Sequence, residues 1–219
     1  MLGLIFLNEL PYSKHFHVVM SIPNVYFSNI ENLGKMENMP SVTKEVKLMM
    51  DPNADPYATP AADASSPESF GAKDVTDLNW VQLMNAYSCT ECGRCTSECP
   101  ANQTGKLLSP RKIMMDTRQR LKEVGKNIDK HGKDYTDNKS LLNDYISTEE
   151  LWACTTCNAC TQACPLNIDP LSIIVDLRRH LVMEQSSAPT ELNMMFNNIE
   201  NNGAPWQFPA ADRLKWKDE

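Results

Sequence analysis

Two short cysteine runs that match each other constrain this chain more than any other feature of its sequence. The first extends from Cys89 to Pro100 and the second from Cys154 to Pro165, and both have the spacing C-x2-C-x2-C-x3-C-P. Together they contain all eight cysteines of the 219-residue chain, namely Cys89, Cys92, Cys95, Cys99, Cys154, Cys157, Cys160 and Cys164. Because the cysteines are clustered rather than scattered, the pattern indicates metal ligands in a reducing compartment.

This spacing is typical of proteins that bind two iron–sulfur clusters. In such a run the first three cysteines hold one cluster, and the fourth, which precedes proline, is directed to the other cluster because proline pushes the residue before it out of the helical conformation. We therefore expect one [4Fe–4S] cluster on Cys89, Cys92, Cys95 and Cys164, and a second on Cys154, Cys157, Cys160 and Cys99.

Two other uses of cysteine remain alternatives. Structural zinc sites also contain C-x2-C pairs, but a zinc site needs four ligands, commonly as two separated pairs. Here each run has a third and a fourth cysteine at matching offsets, followed by proline. A disulfide framework is typical of short secreted chains, and the N-terminal residues lack the early positive charge and the small-residue cleavage site of a secretion signal.

The sequence around each run predicts helices, and strand signals are weak throughout. Ser109–Pro110 and Asp169–Pro170 each combine an N-cap residue with proline at the first helical position, and Ser147 begins a capping box. Asp74 or Thr76 is expected to cap the helix that leads into the first run, and the helix after Pro110 is expected to stop at Gly125.

An internal repeat extends beyond the cysteines, because residues 109–118 align with residues 169–178. We therefore predict an all-α fold, an α-helical ferredoxin with two pseudo-symmetric repeats of helix, cluster loop and helix, preceded by a disordered or extended N-terminal region. The predicted boundaries are 1–50 for an N-terminal extension, 51–72 for a Pro- and Ala-rich linker, 73–203 for the domain with two clusters, and 204–219 for a C-terminal docking tail.

The N-terminal extension has two competing explanations. Its apolar residues between Leu2 and Leu10 are too few to span a bilayer, so they are either the end of a membrane domain or a stretch before a true start at Met36. His15 and His17 are candidate haem ligands, although such histidines are more often exposed or interfacial.

Charge is distributed unevenly along the chain. The net charge of −7 argues against a protein that binds nucleic acid. One segment nevertheless is basic, with nine residues opposed by three acidic ones: Lys106, Arg111, Lys112, Arg118, Arg120, Lys122, Lys126, Lys130 and Lys133. Such a segment is either a solvated helix face or a docking patch for an acidic partner or lipid head groups.

From about residue 70 to residue 216 the chain resembles the dicluster module of heterodisulfide reductase-like and glycolate oxidase-like iron–sulfur subunits. It is similar also to the cluster domain of the fumarate reductase iron–sulfur subunit. The matching pieces are the two cysteine runs and residues 101–106, 109–112 and 202–206; Ala204 and Gln207 depart from the N-P-W-G that family members often carry. In one branch of the family the module follows a cytochrome b membrane domain, and residues 11–17 and 23–27 resemble the end of that domain.

The resemblance implies an electron-transfer subunit that works between a membrane or soluble donor and a catalytic partner. The expected partners are a cysteine-rich subunit with repeated C-C-G, which this chain lacks, and a cytochrome b membrane subunit; the expected location is the cytoplasm, at the cytoplasmic face of the membrane in the membrane-bound form. We expect no nucleic-acid partner. The aromatics Trp206, Phe208 and Trp216 make residues 204–219 a candidate docking tail for the cysteine-rich subunit, and the alternative is a tail folded back on its own domain.

Two other classes of iron–sulfur protein compete with this interpretation. Radical enzymes and hydratases bind a cluster through three cysteines and keep one iron open, whereas eight cysteines fill two four-ligand sites. A structural module whose clusters only hold the fold is the second alternative. No catalytic acid, base or nucleophile stands out in the sequence, and we assign no catalytic residue. The threonines within the runs, Thr90, Thr96, Thr155 and Thr161, either bond cluster sulfurs or cap the local backbone.

Overall fold

The computed structural model describes residues 2–13, 15–30, 34–36, 38–51, 69–133 and 135–217. These ranges contain helices, turns and one isolated bridge between Leu142 and Ile146, and no β-sheet forms among them. The prediction of an all-α fold is therefore confirmed. The chain divides into two compact units, residues 1–180 and residues 181–219.

The α-helices of the first unit are short except for one. They are α1 (Leu2–Glu9), α2 (Phe16–Tyr26), α3 (Pro40–Met50), α4 (Trp80–Ser88), α5 (Arg94–Ser97), α6 (Pro100–Gln103), α7 (Pro110–His131), α8 (Leu141–Asp144), α9 (Thr148–Ala153), α10 (Ala159–Gln162) and α11 (Pro170–Arg179). Single 3₁₀ turns span Leu10–Tyr12 and Val75–Asp77. A π-helical turn over His180–Glu184 lies at the boundary of the units.

Helices α7 and α11, which follow the two cysteine runs, begin at the predicted N-caps. The hydroxyl of Ser109 accepts the amide hydrogen of Lys112, and the carboxylate of Asp169 accepts those of Leu171 and Ser172, at 2.9 and 3.3 Å. Proline occupies the first helical position in both, where its missing N–H costs nothing. Their buried side chains form the centre of the core: Ile113, Met114 and Thr117 from α7, and Ile173, Ile174 and Leu177 from α11.

The helices that lead into the cysteine runs each begin with a capping box. Ser147 and Glu150 form the predicted one on α9. On α4 the prediction was wrong: Asn79 and Gln82 form the box, while Asp74 caps the 3₁₀ turn before it. Asp74 and Thr76 are too early to cap α4, because the 3₁₀ turn ends at Asp77 and Leu78 is extended. Helix α4 therefore begins only at Trp80, with Asn79 as its N-cap.

The expected stop of α7 at Gly125 was also wrong, because α7 continues to His131 and ends at Gly132, whose φ is +92°. A glycine inside a helix costs only about 1 kcal/mol, which tertiary contacts can offset. One such contact is the side-chain amide of Asn127, which donates to Asp137 at 3.0 Å. The long helix thereby remains attached to the polar segment that follows it.

A buried arginine ties this polar segment to the start of the cluster domain. Arg120 of α7 is 3% exposed and donates to both carboxylate oxygens of Asp74 and of Asp137, and to the carbonyl of Lys139. The guanidinium lowers the pKa of Asp137 to about 2. Because two carboxylates match its charge through bidentate bonds, burial of Arg120 is tolerated. The arginine thereby holds together α7, the 3₁₀ turn after Asp74 and the polar segment around Asp137.

The N-terminal extension is helical in its described part rather than disordered or extended. Helix α2 packs on α4, with edge-to-face ring contacts between Phe16 and Tyr87 and between Phe27 and Trp80. This packing is the physical reason for the difference, since tertiary burial outweighs a weak local pattern. Residues 52–68 of the predicted linker lie outside the described residues. Among the helices of the described ranges, none is both long enough and apolar enough to cross a bilayer.

The second unit contains α12 (Thr190–Asn202) and a 3₁₀ helix over Ala210–Lys217. Helix α12 ends at Gly203, whose φ is +63°. The segment after it turns back on its own helix end: Asn198 donates to the carbonyl of Pro205 at 3.1 Å, and Arg213 donates to that of Asn202. Trp206, Phe208 and Trp216 remain 50–73% exposed.

Candidate metal centres

Cysteines from both runs line one cavity of the first unit. Cys89, Cys92 and Cys95 border it from the first run and Cys164 from the second, around a space of about 420 Å³ that includes an opening to solvent. The remaining wall is largely apolar, with Met114, Leu166 and Ile168 among its side chains. The first cavity thus brings together the four cysteines predicted to hold one cluster.

A second cavity has the reciprocal composition. Cys154, Cys157 and Cys160 border it from the second run and Cys99 from the first, around about 330 Å³. Cys160 also borders the first cavity, so the two cavities are neighbours. This arrangement supports the exchange of the fourth cysteine between the runs, while the assignment of individual ligands remains a prediction.

The chemistry of each cavity fits an iron–sulfur cluster. In the described part of the chain, no three His, Cys, Asp or Glu side chains converge as they would around a single metal ion. Instead, five cysteines line the first cavity and four line the second, with Cys160 common to both. The walls add apolar side chains such as Leu108, Leu171 and Ile174 in the second cavity. Four thiolates around a shielded space are the donor set that [4Fe–4S] clusters require.

Left-handed residues at matching positions give the two cysteine loops the same shape. In the first loop Glu91 and Gly93 have φ values of +59° and +83°, and in the second Thr156 and Asn158 have +56° and +60°. Glycine and asparagine adopt this conformation readily, but glutamate and threonine do not. The left-handed conformations of Glu91 and Thr156 were not predictable from sequence. In the second loop this conformation turns the main-chain N–H of Thr156 toward sulfur, and its nitrogen lies 3.5 Å from Sγ of Cys154.

An arginine from the helix after each run supports the loop of that run. Arg118 of α7 donates to the carbonyl of Cys89 at 3.0 Å, and Arg178 of α11 donates to the carbonyl of Cys154 at 2.6 Å. The two arginines align in the internal repeat, and that alignment is the signal by which sequence reasoning could have found them. Each holds the main chain of the first cysteine of its loop.

The threonines that follow the third cysteine of each run act on the neighbouring helix ends. Thr96 shares a hydrogen bond with the N-cap residue Ser109 at 2.9 Å, and Thr161 donates to the N-cap residue Asp169 at 3.2 Å. Thr161 also lies 4.0 Å from Sγ of Cys160. Of the two roles open from sequence, local capping therefore describes Thr96, whereas Thr161 combines capping with a contact to sulfur.

Burial makes four of these thiols poor acids in the absence of iron. It raises the pKa of Cys89, Cys95 and Cys154, and that of Cys160 to about 12. The pKa of Cys92 is lowered, mainly because the main-chain N–H of Arg94 bonds its sulfur. Since cluster ligands are thiolates, the buried cysteines depend on bound iron to balance their charge.

Helix α2 contacts the chain beside the fourth cysteine of the first cavity. Asn24 is fully buried, and its side-chain amide donates to the carbonyl of Leu166 at 2.9 Å. Leu166 lines the cavity two residues after Cys164. The N-terminal extension therefore forms part of the surroundings of the first site, a contact that no local sequence signal indicated.

The basic segment between residues 106 and 133 is partly internal. Arg118 and Arg120 support the fold as described, and Lys112 bridges Asp116 and Glu150 at 3.0 and 2.8 Å. The exposed remainder is Lys106, Arg111, Lys122, Lys126, Lys130 and Lys133. Of these, only Arg111 lines a cysteine cavity.

Comparison with known proteins agrees with this geometry. Residues 88–168 match the family model of the 4Fe-4S dicluster domain. The probable iron-sulfur-binding oxidoreductase FadF of Bacillus subtilis is 33% identical over 98% of this chain and 32% of its own length. The EtfAB:quinone oxidoreductase of Syntrophomonas wolfei is 30% identical over 100% of this chain and 30% of its own length.

A shorter relative has a similar identity. It is one of the subunits of the ferredoxin/F(420)H(2)-dependent CoB-CoM heterodisulfide reductase of Methanosarcina acetivorans, and it is 32% identical over 54% of this chain and 60% of its own length. The chain spans about a third of the length of the first two relatives. Together the family match and the relatives confirm the iron–sulfur module and its two [4Fe–4S] clusters.

Proposed function

We propose that this chain, whose residues 88–168 are a 4Fe-4S dicluster domain, is an electron-transfer subunit of a heterodisulfide reductase-like oxidoreductase. It takes electrons from a membrane or soluble donor and delivers them to a catalytic partner subunit. The observation that carries the proposal is the pair of neighbouring cavities, each lined by cysteines of both runs. When bound there, [4Fe–4S] clusters supply one-electron redox chemistry.

The residues around the two cavities are arranged for a relay rather than for catalysis at iron. The four cysteines assigned to each site would fill every ligand position of a cubane and leave no iron open to a substrate. Both cavities have a buried side and an exposed side: Cys89 and Cys99 are buried, whereas Cys92 and Cys157 are exposed. The exposed sides give electrons a short route to and from docked proteins.

An anaerobic redox titration tests this proposal. Protein purified or reconstituted without oxygen should contain about eight irons and eight sulfides per chain, and both clusters should be reduced and reoxidised reversibly. Electron paramagnetic resonance would count the reduced clusters. Full iron content with no reversible reduction would instead indicate the alternative, a structural iron–sulfur module without redox turnover. Zinc bound in place of iron would contradict both.

The relatives support an oxidoreductase complex as the setting. One of them is named as a subunit of a heterodisulfide reductase and another as an EtfAB:quinone oxidoreductase. We propose a cysteine-rich subunit as the catalytic partner and residues 204–219 as the segment that docks it, because Trp206, Phe208 and Trp216 are exposed. Truncation after Asn202 should abolish co-purification with the partner and leave both clusters in place. Unchanged co-purification would refute the docking role.

The N-terminal helices support a donor at the membrane. Leu4, Ile5, Phe6 and Leu7 of α1 are 53–67% exposed, and Ile22 of α2 is 76% exposed. Such an apolar surface is suited to a membrane or a membrane subunit such as a cytochrome b, which would place the protein at the cytoplasmic face of the membrane. Flotation of the chain with lipid vesicles tests this: deletion of residues 1–13 should abolish flotation and retain the clusters. A chain that never floats would exclude direct lipid contact.

A further inference from the structure

The two cavities differ sharply in the residues at their exposed rims, although their loops match. At the rim of the first cavity lie Arg94, which follows Gly93, and Arg111 in the first turn of α7. Both arginines are exposed, and neither forms an ion pair within the described ranges of the chain. The charge of these arginines therefore faces solvent beside the exposed Cys92.

The internal repeat provides a comparison for each of these positions. Residue 159 of the second run corresponds to Arg94 and is alanine, and residue 171 corresponds to Arg111 and is leucine. The rim of the second cavity is formed by Thr155, Cys157, Asn158 and Leu171, and no charged side chain among the described residues lines that cavity. Neither arginine is therefore required to build a cluster loop.

The conformation of the first loop brings the two arginines together. Gly93 adopts φ +83°, and a Cβ at this position would lie 3.9 Å from Nη1 of Arg111, so the guanidinium extends across the glycine. The main-chain N–H of Arg111 also contacts Oγ1 of Thr96 in the same loop, at 3.4 Å. Within the described part of the chain, the only acidic residue that lines this cavity is Glu91, and it is paired with Arg118. Two unpaired positive charges thus remain at the rim.

We propose that the Arg94–Arg111 rim is the docking site of an acidic electron-carrier protein, which exchanges electrons with the cluster of the first site. The chain as a whole has a net charge of −7, so an acidic protein is repelled overall and attracted only where unpaired cations are exposed, as at this rim. This contrast orients the encounter so that the carrier meets the exposed edge of the first site. The uncharged rim of the second site is then left for the less polar contact with the catalytic partner. This inference rests on the proposed electron-transfer function and adds the chemistry of one partner.

Binding of a strongly acidic plant-type [2Fe–2S] ferredoxin, as a probe, tests the proposal on the cluster-loaded full chain. The salt dependence of fluorescence anisotropy with labelled ferredoxin is diagnostic without any variant. Two acidic proteins without a complementary patch repel, so their association strengthens with salt, whereas docking at the rim weakens with salt. We expect weakening, and strengthening or no association at low salt would overturn the proposal.

The repeat also supplies the matched variant. R94A/R111L gives the first rim the alanine and leucine that stand at the aligned positions of the second repeat. The control, K122A/K126A, removes two exposed lysines of α7 that do not line the cavity. R94A/R111L should lower the affinity for ferredoxin and the rate of electron exchange by about tenfold or more at low salt, as loss of electrostatic steering does. K122A/K126A should change both much less. Equal losses in the two variants would contradict docking at the rim.

A neutral mediator separates this proposal from the proposed function. Reduction of both clusters by a zwitterionic viologen should proceed equally in the wild-type chain and in R94A/R111L. If the viologen reduces neither cluster reversibly, the electron-transfer function itself fails. If the viologen reduces both clusters and R94A/R111L binds ferredoxin as tightly as the wild-type chain does, only the proposed docking site is wrong.

Discussion

The guanidinium of Arg178 donates a hydrogen bond to the main-chain carbonyl of Cys154 at 2.6 Å, and it also bonds the carbonyl of Leu151. It stacks over the ring of Trp152 at 4.9 Å from the ring centre. One side chain thereby fixes the end of α9 and the start of the second cluster loop. Its counterpart Arg118 has the carbonyl of Cys89 and the exposed Glu91 as partners.

This difference predicts unequal effects of removing the two arginines. Arg178→Met should lower the free energy of unfolding by about 3 kcal/mol, because it strands the carbonyl of Cys154 at about 1–3 kcal/mol, leaves the carbonyl of Leu151 with the Cys154 N–H alone, and loses the ring contact. Arg118→Met should cost less, about 1–2 kcal/mol, since it strands only the carbonyl of Cys89 and its ion pair with Glu91 is exposed. The urea concentration at which visible cluster absorption is half lost measures both. Equal midpoints for the two variants would contradict the assigned contacts.

Asn24 offers a test of the contact between the N-terminal extension and the first site. Asn24→Leu removes the hydrogen bond to Leu166 and should destabilise the first site by about 1 kcal/mol, so that its cluster is lost first during incubation with an iron chelator. Ile22→Ala on the exposed side of α2 is the control and should behave like the wild type. Loss of both clusters at one rate, or loss of the second cluster first, would show that α2 does not act on the first site.

The substitution Gly71→Ala tests whether the residues just before the predicted N-terminal boundary of the cluster domain pack on it. The φ of Gly71 is +72°, and a Cβ would lie 2.3 Å from the carbonyl oxygen of Asp176, an acceptor that Ala72 N–H uses at 3.0 Å. Gly71→Ala should therefore cost more than about 3 kcal/mol, since strain of about 1–2 kcal/mol adds to a main-chain clash. Gly105 has φ +80° and open space around it, so Gly105→Ala should show the strain alone. If urea unfolding gives the two variants the same stability, residues 71–72 do not dock on α11.

Local chemistry made several parts of this structure predictable. The cysteine spacing, the N-caps at Ser109 and Asp169 and the box at Ser147 depend on residues a few positions apart, and the prediction of each N-cap and of the box was confirmed. The repeat also predicted two related halves. Arg118 and Arg178 confirm this relationship, since each donates to the carbonyl of the first cysteine in the loop of its own half.

The parts that sequence reasoning missed depend on distant contacts. The bond between Asn24 and Leu166 joins residues 142 positions apart, and the continuation of α7 past Gly125 accompanies its attachment to Asp137. The positive φ values of Glu91 and Thr156 run against the preferences of both residues. They are explained only by the loop that must turn successive cysteines toward one cavity.

The exchange of Cys99 and Cys164 between the two runs is the central claim, since it joins the repeats into one relay. Cys99 lines the cavity of the second run and Cys164 that of the first. Electron paramagnetic resonance of the reduced protein, with the two cluster signals assigned through Cys92→Ala and Cys157→Ala, tests it directly. We predict that Cys99→Ala alters the signal that Cys157→Ala alters, and that Cys164→Ala alters the signal of Cys92→Ala. If Cys99→Ala alters the Cys92 signal instead, each run holds its own cluster and the exchange is wrong.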